Sequence, residues 1–518
     1  MTSRRDVLRL GTRATATGLT AGLVAAPATA QAAPPFTPSA SSPFSPPAAG
    51  SAAAARGPER AAWRELRRLL SPAAGLYRPG EGEYGRLAPP DNLRYADIRP
   101  AGIVACVTER DVQTAVRWAA AHGIPLVPRS GGHNYAGYST TRGLLIQLRR
   151  MRQVQVTGSR TLRVGGGATN SDVYAARAAN LYFPGGRCPG VGVAGLTLGG
   201  GLGFNDRKWG LTCDRLQATD VVLANGELVR ASAEENADLF WACRGGAGGN
   251  FGINTGFVFH AVPIGGRRAT VFDLTFRLDA GVRVMAALQE TLDHDRAGDF
   301  DVRVGFSHPG SGQGTLNVLG QRLGTADQLR KALAGVLELK AVKKFIEQRQ
   351  FWAAQDYLMS AAEVGAMASK SLVPNRWLPR HSVESIVEWV RNWRPGPARG
   401  TGYVTLFAMG AHSDSPGPRE TAYPHRDATY VIDIGARWTA DTPTAESNEL
   451  VNQTRAIHHT LSRQLQTSAA YVNFPDPDLR RWQNAYYGAN YTRLTDIKRR
   501  YDPTALFHYP QAITPTHP

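Results

Sequence analysis

The chain has 518 residues and a formal net charge of +17, with 42% hydrophobic and 19% charged residues. This is the composition of a globular protein with a sizeable core, and it excludes a fibrous or intrinsically disordered chain. The four cysteines are too few to form a disulfide scaffold at this length. The length favours about two to four domains.

The first 30 residues have the parts of a twin-arginine signal peptide. Arg4 and Arg5 are adjacent, residues 14–30 are uncharged, and Ala28-Thr29-Ala30 has the A-x-A pattern of a cleavage site. Residues 31–59 are rich in Pro, Ala and Ser and are predicted to be a disordered linker. We therefore expect a secreted protein that uses the twin-arginine export machinery. After residue 30 no uncharged apolar run approaches the roughly 20 residues of a membrane span, so we predict none.

The excess of positive charge raises the question of a nucleic-acid partner. The longest basic cluster is Lys498-Arg499-Arg500, and no basic stripe interleaved with aromatic residues is present. Charge that is spread along a chain increases solubility without forming a binding surface. We therefore predict no nucleic-acid partner.

The pattern after residue 100 alternates strands with helices. Residues 103–107 are apolar, Thr108 is a good N-cap, and an apolar face at helical spacing continues to Gly123. A short strand at residues 124–127 then leads into a glycine-rich loop. From about residue 270 amphipathic strands alternate with helices, including a predicted helix over residues 326–347, which indicates a second α+β domain.

Two glycine-rich segments could present backbone amides to a ligand. One is Arg129-Ser130-Gly131-Gly132-His133, and the other, residues 185–203, holds nine glycines in 19 residues. Within the second, residues 190–195 match G-x-G-x-x-G, but they neither follow a hydrophobic strand nor open a helix of the expected kind, which argues against a nicotinamide site. Side-chain-free backbone can approach a flat or anionic ligand closely. We therefore favour a ligand with a pyrophosphate and an extended ring over simple tight turns.

Several segments resemble one family, in the family's order. The sequence P-R-S-G-G-H-N-Y at residues 128–135 resembles the R-S-G-G-H segment of the berberine-bridge-enzyme-like flavin oxidases, in the vanillyl-alcohol-oxidase superfamily. G-R-C-P-G-V-G at residues 186–192 resembles their second attachment segment. Further similarities lie at residues 238–253, 424–427, 471–474 and 486–490.

The resemblance implies an α+β fold with two domains. A two-part FAD-binding domain of the vanillyl-alcohol-oxidase or PCMH type would cover residues 60–270. An α+β substrate domain with an antiparallel sheet would cover residues 271–455. Residues 456–518 would return to the FAD-binding domain.

The resemblance also implies FAD that is attached covalently at two points, through His133 to the 8α-methyl carbon and through Cys188 to C6 of the isoalloxazine. Imidazole and thiolate are plausible nucleophiles for an electron-poor ring. A structural histidine and an inert buried thiol are the alternatives. The other FAD contacts that the resemblance implies are Arg129, Ser130, Gly131, Gly132, Asn134, Ser139, Gly192, Gly195, Gly199, Gly200, Ile253, Tyr471 and Asn473. No metal site is predicted, because H-E-x-x-H and C-x-x-C are absent.

Two positions depart from the family pattern. Many relatives take the substrate proton with the last tyrosine of Y-x-N-Y, where this chain has Phe474, and support it with a second tyrosine where this chain has Leu202. A predicted strand offers Asp433 instead, a carboxylate between isoleucines on the same face as Val431. Burial should raise the pKa of this carboxyl toward that of a useful general base. A structural carboxylate paired with Arg437 is the alternative.

We therefore predict Asp433 as the catalytic residue, and a substrate pocket that includes Leu202, Val431 and Phe474. The resemblance implies an FAD-linked oxidase in which hydride passes to flavin N5 and O2 reoxidises the flavin to give H2O2. The missing phenolate favours a C–H next to O or N in a small natural product. A carbohydrate oxidase is one alternative, and a flavin-carrying binding or sequestration protein is another. The expected partners are a small-molecule substrate and O2.

Overall fold

The computed structural model describes residues 60–360, 365–410 and 415–516, all within one structural unit, Arg56–Pro518. The predicted signal peptide (1–30) and linker (31–59) lie outside the described residues. Within these ranges no helix is long and apolar enough to cross a membrane. Nor do the described residues form a cluster of three or more His, Cys, Asp or Glu side chains that could hold a metal ion.

The first sheet is mainly parallel. Its strands are β1 (Gly75–Tyr77), β2 (Gly102–Ala105), β3 (Leu126–Arg129) and β4 (Leu144–Gln147), in the order β1-β2-β4-β3. The accompanying helices are α1 (Arg60–Leu69), α2 (Tyr84–Leu87) and α3 (Glu109–Ala121). As the sequence predicts, α3 begins at Thr108, whose side chain accepts from the Asp111 amide while the Asp111 carboxylate accepts from the Thr108 amide.

The second sheet is antiparallel and has five strands in the order β5-β6-β10-β8-β9, beside a two-stranded β7–β11 pair. The strands are β5 (Val154–Gly158), β6 (Thr161–Gly165), β7 (Leu181–Tyr182), β8 (Leu216–Val222), β9 (Leu228–Ser232), β10 (Ile253–His260) and β11 (Val262–Pro263). The short helices of this region are α4 (Asn170–Val173), α5 (Val193–Leu198), α6 (Asp206–Trp209) and α7 (Ala237–Ala242).

The third sheet has seven antiparallel strands in the order β15-β12-β14-β13-β17-β18-β16. They are β12 (Arg268–Arg277), β13 (Phe300–His308), β14 (Thr315–Leu323), β15 (Lys343–Gln350), β16 (Ala366–Leu372), β17 (Thr401–Ala408) and β18 (Tyr430–Trp438). The remaining helices are α8 (Gly281–His294), α9 (Ala326–Ala332), α10 (Ala334–Leu337), α11 (Phe351–Leu358), α12 (Arg380–Arg391), α13 (Thr444–Leu465), α14 (Trp482–Tyr487) and α15 (Tyr491–Tyr501).

The predicted helix over residues 326–347 is wrong in its second half. The chain is helical only in α9 and α10, and the following residues form the edge strand β15. This strand pairs with β12 from Arg268↔Gln350 to Thr275↔Lys343. Long-range pairing therefore decides its conformation, because β-structure depends more on its partners than on local propensity.

The two faces of the seven-stranded sheet differ in polarity, because successive side chains of a strand point to opposite faces. Val304, Leu406 and Ile432 lie on one face and pack in an apolar core that includes residues of α8, α12 and α13. The residues that alternate with them, such as Arg303 and Asp433, lie on the other face and border a cavity. One sheet thus supplies both the core and a polar wall.

The C-terminal segment is held by a buried lysine on α15. Lys498 is fully buried, and its Nζ donates to the Asp502 carboxylate at 2.6 Å and to the carbonyl oxygens of Asn250 and Phe507 at 2.5 and 2.8 Å. All three ammonium protons therefore have acceptors. Asp502 in turn accepts from the Phe507 amide. This pair joins the end of the chain to the loop before β10.

Removing the lysine charge should destabilise the fold strongly. In Lys498→Met the Asp502 carboxylate stays buried without its cation, and a broken buried pair costs about 3–5 kcal/mol. Guanidinium unfolding followed by tryptophan fluorescence measures the change. Arg380→Met, which removes the exposed ion pair with Glu384, is the control and should cost no more than about 1 kcal/mol. Equal losses in the two variants would contradict the role of Lys498.

Candidate active site

A cavity of about 650 Å³ lies between the glycine-rich loops and the polar face of the seven-stranded sheet. Thirteen of the predicted FAD-contacting residues border it: Arg129, Ser130, Gly131, Gly132, His133, Asn134, Ser139, Cys188, Gly192, Gly195, Ile253, Tyr471 and Asn473. Asp433, Leu202 and Phe474 border it as well. The structure thus brings together residues that lie more than 300 positions apart in sequence.

Three predicted residues do not border the cavity. A Cβ on Gly199 would lie 2.2 Å from the Asn473 amide oxygen, and a Cβ on Gly200, at φ +119°, would lie 3.4 Å from the Tyr471 ring. Val431 is fully buried in an apolar cluster with Leu202. Their contact with a ligand stays a prediction, and in the structure they lie beside Asn473, Tyr471 and Leu202, which do border the cavity.

Arg129 organises the first glycine-rich loop. Its guanidinium donates to the carbonyl oxygens of Leu87, Ala88, Pro89 and Ser139 at 2.7–3.2 Å. Burial lowers the pKa of Arg129 to about 10. No carboxylate of the described chain forms an ion pair with it. Its guanidinium therefore donates its hydrogen bonds to protein carbonyl groups. It can attract an anionic ligand through its positive charge, because no carboxylate neutralises that charge.

The two glycine-rich loops meet through their backbones. A Cβ on Gly131 would lie 2.3 Å from the Gly192 nitrogen, and a Cβ on Gly192 would lie 2.5 Å from the Ser130 Oγ. That Oγ is buried and has no hydrogen-bond partner in the described part of the chain. Gly195 faces open space on the cavity side. An unpartnered hydroxyl, bare backbone and the nearby Arg129 charge fit the pyrophosphate of a dinucleotide such as FAD.

His133 is oriented by a carboxylate from the segment that follows α2. Its Nδ1 lies 3.1 Å from the Asp91 Oδ2. A Cβ on Gly190 would lie 3.1 Å from the His133 Nε2, so the imidazole lies against the segment that carries Cys188. The imidazole and the thiol therefore border one space from adjoining loops.

Cys188 differs from the other three cysteines in exposure. Cys106, Cys213 and Cys243 are buried, whereas Cys188 is half-buried and borders the cavity. Burial raises the pKa of the Cys188 thiol, and the positive charges of Arg303, Arg437 and Arg187 counteract part of that rise. Nearby guanidinium groups favour the thiolate, which is the nucleophilic form.

Asp433 lies on the cavity face of β18 with only 5% of its surface exposed. Burial raises the pKa of this carboxyl to about 6, opposed by a hydrogen bond from Ser369 Oγ at 2.5 Å and by the charge of Arg437. Burial and the Asp433 carboxylate in turn raise the pKa of Tyr403. The carboxyl is thus poised to exchange a proton near neutral pH, beside a phenol that stays protonated.

Phe474 forms part of an aromatic wall near Asp433. Its ring stacks on Tyr135 with centroids 5.2 Å apart, and it meets Tyr471 edge to face at 5.0 Å. Burial raises the pKa of Tyr135 further above its ordinary value. The wall therefore offers a flat apolar surface. Phe474 cannot act as a base, and Asp433 is a carboxylate close to this wall that could.

Sequence reasoning missed four residues that shape the site: Tyr135, Arg303, Ser369 and Tyr403. Arg303 and Tyr403 each lie in a strand where polar or small residues occupy every second position, as in Arg303-x-Gly305-x-Ser307. That alternation predicts a polar sheet face. It does not predict which ligand the face meets.

Two segments match known families. Residues 100–232 match the family described as FAD binding domain, and residues 470–514 match the one described as Berberine and berberine like. The first covers the loop of His133 and the segment of Cys188. The second covers Tyr471, Asn473 and Phe474.

Curated relatives match most of the chain. The uncharacterized FAD-linked oxidoreductase YgaK of Bacillus subtilis is 30% identical over 430 residues, which is 82% of this chain and 92% of the relative. Xylooligosaccharide oxidase of Thermothelomyces thermophilus is 31% identical, covering 82% and 88%. (R)-6-hydroxynicotine oxidase of Paenarthrobacter nicotinovorans is 30% identical, covering 80% and 92%.

Solved structures show the same fold. A chitooligosaccharide oxidase superposes with a TM-score of 0.77 at 26% identity, covering 88% of this chain and 100% of that one. The glucooligosaccharide oxidase of Acremonium strictum, described as carrying 6-S-cysteinyl, 8α-N1-histidyl FAD, also gives 0.77, at 24% identity with the same coverage. The predicted α+β fold with an antiparallel substrate-domain sheet is confirmed. The chain therefore belongs to the berberine-bridge-enzyme-like FAD-linked oxidoreductases and is an FAD-dependent oxidase.

Proposed function

We propose that this oxidase takes a hydride from a C–H next to O or N in a small natural product, with Asp433 as the general base. The observation that carries this assignment is a buried carboxyl, with its pKa raised to about 6, on the wall of the cavity. FAD, when bound, accepts the hydride and passes the electrons to O2, which gives H2O2. The N-terminal twin-arginine pattern adds export to the proposal, which fractionation of the producing cells would check.

The chain's own residues perform the remaining tasks. Asp433 takes the proton from the O–H or N–H of the substrate, and Ser369 holds the Asp433 Oδ1 in place through a 2.5 Å hydrogen bond. The stacked rings of Tyr135 and Phe474 provide apolar surface against which a substrate ring can lie.

A carbohydrate oxidase is the second candidate. The cavity wall carries Ser307, Asn317, Thr401 and Thr405, which can hydrogen-bond to sugar hydroxyls. Xylooligosaccharide and chitooligosaccharide oxidases are among the relatives. Against this candidate stands the aromatic wall, in which Phe474 offers no hydroxyl. The third candidate is a flavin-carrying binding protein without turnover.

The proposal also includes covalent attachment of FAD to both His133 and Cys188. Three features support it: both side chains border one cavity, Asp91 orients the imidazole, and three guanidinium groups favour the Cys188 thiolate. The comparison protein from Acremonium strictum, described as carrying a doubly linked FAD, has the same fold.

Peroxide release should separate the three candidates. The holoenzyme is incubated with a panel of sugars, amines and alkaloid or polyketide natural products, and H2O2 is measured. Turnover of natural products above that of sugars supports the primary proposal, and the reverse supports a carbohydrate oxidase. Tight binding without flavin reduction by any compound would indicate the binding protein.

If FAD is bound by two covalent bonds, either bond alone should retain the flavin, and only the loss of both should release it. Denatured, acid-precipitated protein should stay yellow and should show the mass of one attached FAD. Cys188→Ala and His133→Ala should each keep one linkage, because each nucleophile bonds a different ring carbon, and the double variant should release all flavin. Cys243→Ala is the matched control and should behave like the wild type. A colourless wild-type pellet would rule out covalent attachment.

Asp433→Asn should slow flavin reduction by a hundredfold or more, as is typical for loss of a general base, about 10²–10⁴-fold. The base must be ionised, so the wild-type rate constant should rise with pH up to about 6, the raised pKa of Asp433, and level off above it. In the variant, the rate constant should not show this rise with pH. Stopped-flow reduction measures both effects, with Asp279→Asn as an exposed control. A rate within threefold of the wild type would remove Asp433 from the mechanism.

A further inference from the structure

Three arginines converge on the cavity near Cys188. Arg187, Arg303 and Arg437 all border the cavity, and each acts on the Cys188 thiol by its charge. The carboxylate facing them on the same sheet wall is Asp433. Asp91 also borders the cavity and acts on the thiol, so three guanidinium groups share this end of the cavity with two bordering carboxylates, and a neutral substrate would leave that excess of positive charge in place.

Arg187 is held rigidly but lacks hydrogen-bond acceptors. Its guanidinium carbon lies 4.4 Å from the centroid of the Phe204 ring and 4.5 Å from that of Phe407, so the group is sandwiched between two aromatic faces. The residue is 9% exposed, and its Nε and Nη2 are buried without a hydrogen-bond partner among the described residues. Such donors are costly to leave unpaired.

The carboxyl groups behind Arg187 compensate its charge poorly. Asp301 Oδ1 lies 4.0 Å from the Arg187 Nη2, too far for a hydrogen bond. Burial and the neighbouring Asp206 carboxylate raise the pKa of Asp301, which favours its neutral form. A negative group arriving from the cavity would therefore meet a cation that its own surroundings leave only partly neutralised.

Arg303 adds a second unsatisfied guanidinium. It is half-buried on the cavity face of β13, and its guanidinium forms no hydrogen bond or ion pair within residues 60–360, 365–410 and 415–516. Burial and the like charge of Arg187 lower the pKa of Arg303, and Cys188 and Asp273 oppose that change. One anion between them would relieve both the repulsion and the missing hydrogen bonds.

The sheet register sets the distance from these arginines to the proposed base. Arg303 pairs with Phe407, which pairs with Val431, and Asp433 lies two residues further along β18. Two strand spacings and two residues place the Cα atoms of Arg303 and Asp433 about 12 Å apart. Gly305 carries no side chain, and only Thr405 Oγ1 would approach a Cβ there, at 4.0 Å. The Arg303 and Asp433 side chains can therefore contact different ends of one small substrate.

We propose, resting on the function proposed above, that the substrate carries a carboxylate or a comparable oxyanion, which Arg303 and Arg187 bind while the carbon to be oxidised lies at Asp433. The anionic group is about one ring away from that carbon. Planar guanidinium groups suit a carboxylate because they can donate two parallel hydrogen bonds to it.

The test is a titration of the oxidised holoenzyme, followed by the flavin absorbance. Benzoate, benzenesulfonate and phenyl phosphate are compared with benzamide, which has the size of benzoate but no charge. Benzoate should bind at least tenfold more tightly than benzamide. Arg303→Gln should abolish that preference, with a change of less than twofold for benzamide. Arg277→Gln, which removes the same charge from an exposed ion pair, should leave the preference intact.

The outcomes separate this inference from the function on which it rests. Equal binding of benzoate and benzamide, or equal effects of Arg303→Gln and Arg277→Gln, would overturn the anion site, even where neutral compounds still give peroxide. A benzoate preference that depends on Arg303, without peroxide from any compound, would keep the site and overturn the oxidase function proposed for it. Tighter binding of the sulfonate or the phosphate than of benzoate, again dependent on Arg303, would keep the site and change the preferred oxyanion.

Discussion

The active site depends on the close approach of two glycine backbones. Gly131 and Gly192 meet so closely that a methyl group on either would overlap atoms of the other loop. Because only glycine permits that approach, the loop of His133 and the segment of Cys188 can share one wall. The buried Ser130 hydroxyl lies at this contact, and the His133 imidazole and the Cys188 thiol border the cavity beside it.

One face of the seven-stranded sheet contributes to the stability of the fold, and the other face contributes to the recognition of a substrate. Its apolar face packs against helices, while the alternate residues of the same strands face the cavity. A substitution such as one at Arg303 or Thr405 therefore changes the wall that a substrate meets and leaves the helix-packed core untouched. The same alternation explains how a charged residue such as Asp433 can lie between two core isoleucines.

Local signals in the sequence predicted local structure well. The N-cap at Thr108 depends on neighbours along the chain and was predicted, and the structure shows it as part of a capping box with Asp111. The strand β15 was mistaken for helix because its conformation is decided by β12, some 75 positions away. The glycine loops were found because their composition is unusual, whereas Arg303 and Tyr403 have ordinary sequence surroundings and reach the cavity only through strand pairing.

The end of the chain finishes the cavity. The Tyr471 hydroxyl accepts a hydrogen bond from the Gly201 amide at 2.9 Å, and the Asn473 side chain donates to the Leu196 carbonyl oxygen at 2.9 Å. The cavity is therefore complete only when residues 129–202 and residues 471–474, which are far apart in sequence, have folded against each other, so opening of the later segment alone would uncover the cofactor site.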